Sequence, residues 1–256
     1  GSAPLRIVIL GGGTAGWMCA AACRRQLPAR DYDITLVESD EIGTVGVGEA
    51  TLPSIKLFND MLGLDEADFM RRTRATFKLG IEFRGWDRDG ERYVHPFGAF
   101  GEPWGGVEFQ HHWLRARRAG RPCAPLQEYS LAVVAALSNV FEPPEKNPNA
   151  RRSTDAVAYH FDAGLYAACL RSWAIERGVR RIEGLVSEAR RHPETGNLTE
   201  LTLKSGARIA GDLFIDCSGF RAVLLGRTLG VPWQDWTHWL PCDRALAVAC
   251  PRSDPL

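Results

Sequence analysis

The stretch from Leu5 to Glu38 constrains this chain more than any other. It opens LRIVILGGGTAGWMCAAACRRQL and closes DITLVE, which reads as strand, glycine-rich turn, helix and second strand. Leu5–Leu10 is a short run rich in β-branched and aliphatic residues, as expected of a strand buried on both faces of a parallel sheet. Gly11, Gly13 and Gly16 then fit G-x-G-x-x-G. The first glycine allows the tight turn, the second lets a pyrophosphate approach the backbone, and the third lets helix and strand pack closely. Thr14 and Ala15 open the small-residue helix that follows, Ala15 to Leu27, whose N-terminus offers free N–H groups and a positive dipole end to phosphate. Pro28 stops that helix, Ile34–Val37 forms the second strand, and Glu38 stands at its end. A carboxylate about 20 residues beyond the glycines receives the hydroxyls of an adenosine ribose, which favours FAD or NAD over NADP.

The remainder bounds the function by exclusion. The 256 residues carry 31 basic and 31 acidic side chains, so there is no electrostatic grip on nucleic acid or on an anionic membrane. No apolar run approaches the roughly 20 residues of a membrane span, no signal peptide is read, and Gly1-Ser2 reads as the remnant of a cleaved tag. The seven cysteines are scattered without a CxxC or Cys/His cluster. They read as small buried residues of a reducing cytoplasm, with no metal site expected. Trp86, Trp104, Trp113, Trp233, Trp236 and Trp239 lie outside the nucleotide unit, where core filling accounts for most of them and an apolar pocket is the other reading.

Along the chain, Gly43, Gly46 and Gly48 make a loop that is either a plain surface connection or a strap over a cofactor. Helices are expected from Pro53 to about Leu62 and, capped by Asp65, over Glu66–Phe77. Lys78 then stands at a helix-to-strand junction, beside Phe77 and Leu79. The alternation of Leu79, Ile81 and Phe83 reads as a strand, with a turn at Asp87–Gly90 before a strand at Tyr93–Phe97. Leu126–Leu137 reads as a helix, and Glu142–Thr154 as a polar, proline-rich connection. A helix from Gly164 to Arg177 and strands near Arg180–Glu183, Val186–Arg190, Leu198–Lys204 and Arg208–Ile215 complete the pattern, the last feeding a small-residue turn at Asp216–Gly219.

Taken together, GGGTAGW at Gly11–Trp17, VGVGEATLP at Val45–Pro53, FKLGIEFRGW at Phe77–Trp86, HPFG at His95–Gly98, YHFDAGLY at Tyr159–Tyr166 and DLFIDCSGFRA at Asp212–Ala222 resemble the flavin-dependent halogenases of the tryptophan halogenase type. The first and last motifs are shared with FAD monooxygenases at large, whereas the GEATLP loop and the lysine of FKLGIEF are specific. The resemblance implies an α/β, FAD-binding Rossmann-like parallel sheet with an inserted α+β substrate region, the substrate side falling within residues 86–155. It implies that Gly11, Gly13, Thr14, Ala15, Gly16 and Glu38 hold the ADP half of FAD. The strap near the flavin ring, Gly43–Glu49, then includes Val47, Gly48 and Glu49 with Ala50 beyond it. Asp216 and Gly219 form a later flavin-contacting turn, Lys78 is catalytic, and His95 and Phe97 flank an aromatic substrate.

Chloride does not attack an arene, so it must first be oxidised; reduced flavin and oxygen achieve this, giving hypochlorous acid that Lys78 would relay to the substrate carbon. Chloride or bromide is thus a co-substrate. FAD arrives reduced from a separate NAD(P)H-dependent flavin reductase, because no second dinucleotide unit is seen. The family also carries a W-x-W-x-I-P motif and an essential glutamate beyond the point matching Leu256. The 256 residues are therefore read as one FAD-binding domain incomplete at its C-terminus. A homodimer, an FAD-dependent aromatic hydroxylase and a non-catalytic flavin-binding fragment all stay open.

Overall fold

The computed structural model describes residues 3–42, 48–143 and 156–248. In chain order these form β1 (Leu5–Leu10), α1 (Thr14–Gln26), β2 (Tyr32–Glu38), β3 (Gly48–Ala50), α2 (Ser54–Leu62) and α3 (Glu66–Thr73). There follow β4 (Thr76–Lys78), β5 (Gly80–Arg84), β6 (Arg92–Pro96), α4 (Phe109–Arg118) and α5 (Leu131–Leu137). The last group is β7 (Ala158–Asp162), α6 (Ala163–Glu176), β8 (Arg180–Glu183), β9 (Val186–Arg191), β10 (Leu198–Leu203), β11 (Arg208–Ala210) and β12 (Leu213–Asp216). Two compact units emerge: residues 1–49, 59–75 and 161–249, and residues 50–58, 76–160 and 250–256.

The first unit is built on a parallel sheet in the order β12-β1-β2-β8. The middles of its two central strands, Ile7–Leu10 and Ile34–Val37, are aliphatic apart from Thr35 and are buried, as a sheet covered on both faces demands. Val8, Leu10 and Val37 pack against Leu201, Leu203, Ile209 and Leu224. The alternate residues Ile9 and Leu36 point to the opposite face, where α1 lies against β1 and β2. Small residues let α1 approach α6: Ala20 and Ala21 of one and Ala163, Ala167 and Ala174 of the other are buried. The antiparallel sheet β11-β10-β9 completes this unit.

Arg208–Ile215, expected as one strand, is two. Gly211 marks the break: a Cβ there would stand 2.7 Å from Val8 Cγ2 and 2.9 Å from the Phe214 ring. Asp212 then binds the Arg6 guanidinium at 2.6 Å and carries the chain from the antiparallel sheet to β1. The helix expected over Glu66–Phe77 stops at Thr73. Asp65 caps its start by accepting from the Asp68 N–H at 2.8 Å, but Arg74 turns left-handed (φ 56°) and the Ala75 N–H closes on the Met70 carbonyl at 2.9 Å. Phe77 and Lys78 are therefore strand residues, paired with Tyr159 and Ala158 of β7.

In the second unit β5 and β6 form an antiparallel hairpin, with Gly80 opposite Pro96. A Cβ at Gly80 would lie 2.5 Å from the His95 carbonyl oxygen, so only glycine permits this approach. Leu126–Leu137 is broken at Ser130 into a 3-10 turn and α5. α4 was not anticipated; Phe109, Trp113 and Ala116 lie on one face of it, but it buries none of its residues fully. The tryptophans depart most from expectation: Trp86, Trp104, Trp233, Trp236 and Trp239 are exposed, and Trp233 and Trp239 are 81% and 76% accessible. Only Trp113 of that group is even half-buried, its indole N–H donating to the Ala124 carbonyl at 2.9 Å. Among the described residues no helix is long and apolar enough to cross a membrane.

Candidate functional site

The residues expected to form the site fall into two groups, one in each unit. In the first unit the glycine turn joins β1 to α1, and its neighbour in space is the turn after β12: Leu10 is level with Asp216, and the Cys217 N–H donates to the Leu10 carbonyl at 2.8 Å. Both turns thus stand at the carboxyl ends of adjacent parallel strands, the place where such sheets take ligands. Gly11 (φ 119°) has no room for a side chain, since a Cβ would meet the Cys217 carbonyl oxygen at 2.1 Å; at Gly16 it would meet the Gly11 oxygen at 1.8 Å. Gly13 differs, with nothing within 4 Å of a Cβ. It precedes Thr14 and Ala15 at the start of α1, where no side chain caps the helix. Open space before an uncapped helix N-terminus fits a pyrophosphate.

Glu38 leans over Gly12, a position the sequence pattern leaves as x. A Cβ at Gly12 would fall 1.5 Å from Glu38 Oε2. That oxygen accepts from the Trp17 indole N–H at 3.3 Å, while Oε1 accepts from Arg181 Nε and faces Arg171 at 3.6 Å. The carboxylate raises the Arg181 pKa, chiefly through that hydrogen bond. Carboxylate oxygens have further lone pairs, so a ribose hydroxyl remains acceptable to a Glu38 oriented in this way.

Asp216 proves to be a turn builder. Its Oδ1 accepts from the Ser218 N–H and hydroxyl at 3.1 and 2.5 Å, and its Oδ2 from the Leu224 and Leu225 N–H groups at 2.8 Å each. Burial acts to raise its pKa, yet these donors together hold it below the ordinary carboxylate value. Gly219, left-handed at φ 65°, has open space around its Cβ position. Of the anticipated strap, Gly43–Val47 lie outside the described residues, and Gly48, Glu49 and Ala50 form β3.

In the second unit the feature of note is Lys78. It is buried at 7% exposure, its Nζ donates to the Thr51 carbonyl at 2.9 Å, and the amine stands 5.3 Å from the centre of the Phe97 ring. Thr51 is itself clamped: its N–H and hydroxyl both donate to the Tyr159 carbonyl, at 2.9 and 2.8 Å, and its hydroxyl accepts from the Tyr159 N–H at 3.0 Å. Burial lowers the Lys78 pKa, and the Lys78 charge adds to the desolvation that lowers that of His160. Phe97 is brought here because its N–H donates to the Leu79 carbonyl at 2.9 Å, continuing the β5–β6 ladder. His95, paired with Ile81, is exposed, and Phe77 stacks instead on Phe141 at 4.1 Å. Thr51, Gly12, Trp17 and Arg181 are the residues that motif reading did not single out.

A parallel α/β sheet with this paired turn defines a dinucleotide-binding protein of the FAD-binding type. The chain belongs to the tryptophan halogenase family, whose family model matches residues 6–256. It is 35% identical to the tryptophan 6-halogenase SttH of Streptomyces toxytricini, over 97% of this chain and 50% of that protein. It is 33% identical to the tryptophan 7-halogenase RebH of Lentzea aerocolonigenes, over 97% of this chain and 49% of that one. Among solved structures, the flavin-dependent halogenase BrvH from Brevundimonas sp. BAL3 superposes with a TM-score of 0.87 at 44% identity, covering 94% of this chain and 48% of BrvH. The chain spans about half the length of the relatives it matches.

Proposed function

We propose that this chain belongs to an enzyme that halogenates an aromatic substrate, with FAD seated on the Gly11–Gly16 turn and Lys78 as the residue that delivers the halogen. The observation that carries this reading is the buried amine of Lys78, fixed by the Thr51 carbonyl at the start of the TLP segment and faced by the Phe97 ring. Bound reduced FAD would supply the oxygen chemistry that converts chloride or bromide into an electrophile. Gly13, Thr14 and Ala15 would hold its pyrophosphate by backbone N–H groups, Glu38 its ribose, and Glu49, Ala50 and Gly219 would border it.

Burial shifts Lys78 toward the neutral amine. A neutral amine can take Cl⁺ from hypochlorous acid, losing a proton and releasing water, and can then pass the halogen to an electron-rich ring carbon. Phe97, with His95 beside it, would present the flat face against which the ring is oriented. SttH and RebH are tryptophan halogenases by name, which supports tryptophan or another indole as substrate. A hydroxylase would share the flavin cradle but would have no use for a buried amine. Reduced FAD would come from a separate NAD(P)H-dependent reductase.

The test is a chloride-fed assay of the full-length protein with FAD, a reductase and indole substrates, read by mass spectrometry. Chlorinated product from the wild type and none from Lys78→Ala is expected. Hydroxylated product, or equal chlorination by both, would overturn the reading.

A further inference from the structure

The two oxygens of Glu38 are held differently. Arg181 of β8 is level with Leu36 of β2, and Glu38 lies two residues further on, so both charged side chains stand on the face of the sheet that α1 covers. The Arg181 guanidinium is divided between two carboxylates: its Nε donates to Glu38 Oε1, and its Nη2 donates to Asp40 Oδ1 at 2.8 Å. Arg171 of α6 faces the same Glu38 oxygen at 3.6 Å. Among the described residues, Oε2 has a single donor, the Trp17 indole N–H at 3.3 Å. Oε2 also fills the space that a side chain at residue 12 would need, since a Cβ on Gly12 would fall 1.5 Å from it. A carboxylate oxygen accepts more than one hydrogen bond, so the oxygen over the turn is a charged acceptor with capacity to spare, while the other is committed to guanidinium.

We propose that Arg181 is a positioning residue for the nucleotide: with its far end tied to Asp40, it draws one Glu38 oxygen aside and keeps the other over Gly12, where that oxygen accepts a ribose hydroxyl from the ADP half of FAD. The proposal rests on FAD occupying the Gly11–Gly16 turn. It gives the x of the first G-x-G a reason of its own, because any side chain at residue 12 displaces the carboxylate. A lysine at 181 does not substitute, because an ammonium lacks the planar fork that holds both carboxylates at once.

The test titrates the full-length protein by calorimetry with ADP and with 2′-deoxy-ADP, which lacks the hydroxyl that an acid at this place receives. Thermal unfolding of every variant is followed alongside. The wild type should bind ADP about tenfold or more tightly than the deoxy nucleotide, as one hydrogen bond to a charged acceptor implies. Arg181→Ala and Arg181→Lys should bring that ratio down towards one, with the affinity for 2′-deoxy-ADP little changed. In a Glu38→Gln background, Arg181→Ala should alter the ratio no further, because the arginine acts through the carboxylate. Should Arg181→Ala fail to fold, Arg181→Lys, which keeps the charge, carries the same comparison. A merely structural arginine would weaken both nucleotides alike, so an unchanged ratio in a folded variant overturns the proposal. Equal affinity of the wild type for the two nucleotides also overturns it, yet leaves FAD on the glycine turn. Failure of the wild type to bind either ADP or FAD overturns both.

Discussion

The Lys78 amine and the Thr51 backbone are joined by one hydrogen bond of 2.9 Å, so the position of the amine is set by how firmly Thr51 is held. Three bonds between Thr51 and Tyr159 do that holding, and two of them use the threonine hydroxyl. Thr51→Val keeps the shape and removes the hydroxyl, leaving the Tyr159 N–H without this partner. The expected loss of stability is about 1–3 kcal/mol, with a fall in chlorinated product and no change in FAD affinity. Denaturant unfolding and product assays on the same preparation check this. Wild-type values for both would show that Thr51 does not position the amine.

The glycines separate what the fold needs from what a ligand needs. Gly16→Ala places a methyl group 1.8 Å from the Gly11 oxygen and should destabilise the protein outright. Gly13→Val enters open space at an ordinary φ of −75°, so it should fold with near-normal stability yet lose FAD binding. Fluorescence titration with FAD and thermal unfolding distinguish the two variants. Unchanged FAD affinity in folded Gly13→Val would remove the pyrophosphate from this turn.

Asp216 supplies a pH-dependent term. Its folded pKa lies below its unfolded value, so its contribution is present above the unfolded pKa and is lost as pH falls through the folded one. Asp216→Asn turns an amide N–H₂ toward backbone donors and should cost about 1–3 kcal/mol at neutral pH. The difference from wild type should shrink in acid. A penalty that stays constant down to acid unfolding would contradict the role given to the carboxylate.

Much of this was legible in the sequence because local chemistry and global fold agree there. Ile7–Leu10 and, apart from Thr35, Ile34–Val37 are apolar and buried, so a parallel sheet covered on both faces was their only comfortable setting. The glycine turn was readable for the same reason. What was not legible depends on contacts distant in sequence. Arg74 is an ordinary helix former that turns left-handed only because the following Thr76–Lys78 pairs with β7, more than 80 residues on. Thr51 resembles any loop threonine until Tyr159 is beside it. Asp216 was read as part of a flavin-contacting turn, and the bonds by which its oxygens hold that turn, to the Ser218 and Leu224–Leu225 donors, are revealed by no spacing rule. Tryptophan count suggested core, but hydrophobicity alone does not say where a side chain lies, and five of the six outside the nucleotide unit are exposed.

The last prediction turns on the charge of residue 78. If the amine must react as a nucleophile, its useful form is neutral, and burial lowers its pKa toward that form. Chlorination should therefore rise with pH along a limb whose midpoint lies below the ordinary lysine value. Lys78→Arg keeps a donor that can reach the Thr51 carbonyl and keeps a cation facing Phe97, but guanidinium stays protonated throughout the accessible range. It should bind FAD and consume oxygen as the wild type does, yet release no chlorinated product at any pH. If the amine served only to hydrogen-bond hypochlorous acid, the arginine variant would retain much of its turnover and the wild-type limb would run the other way, falling as pH rises. Rate–pH profiles of the two proteins, with product identified by mass, choose between these mechanisms.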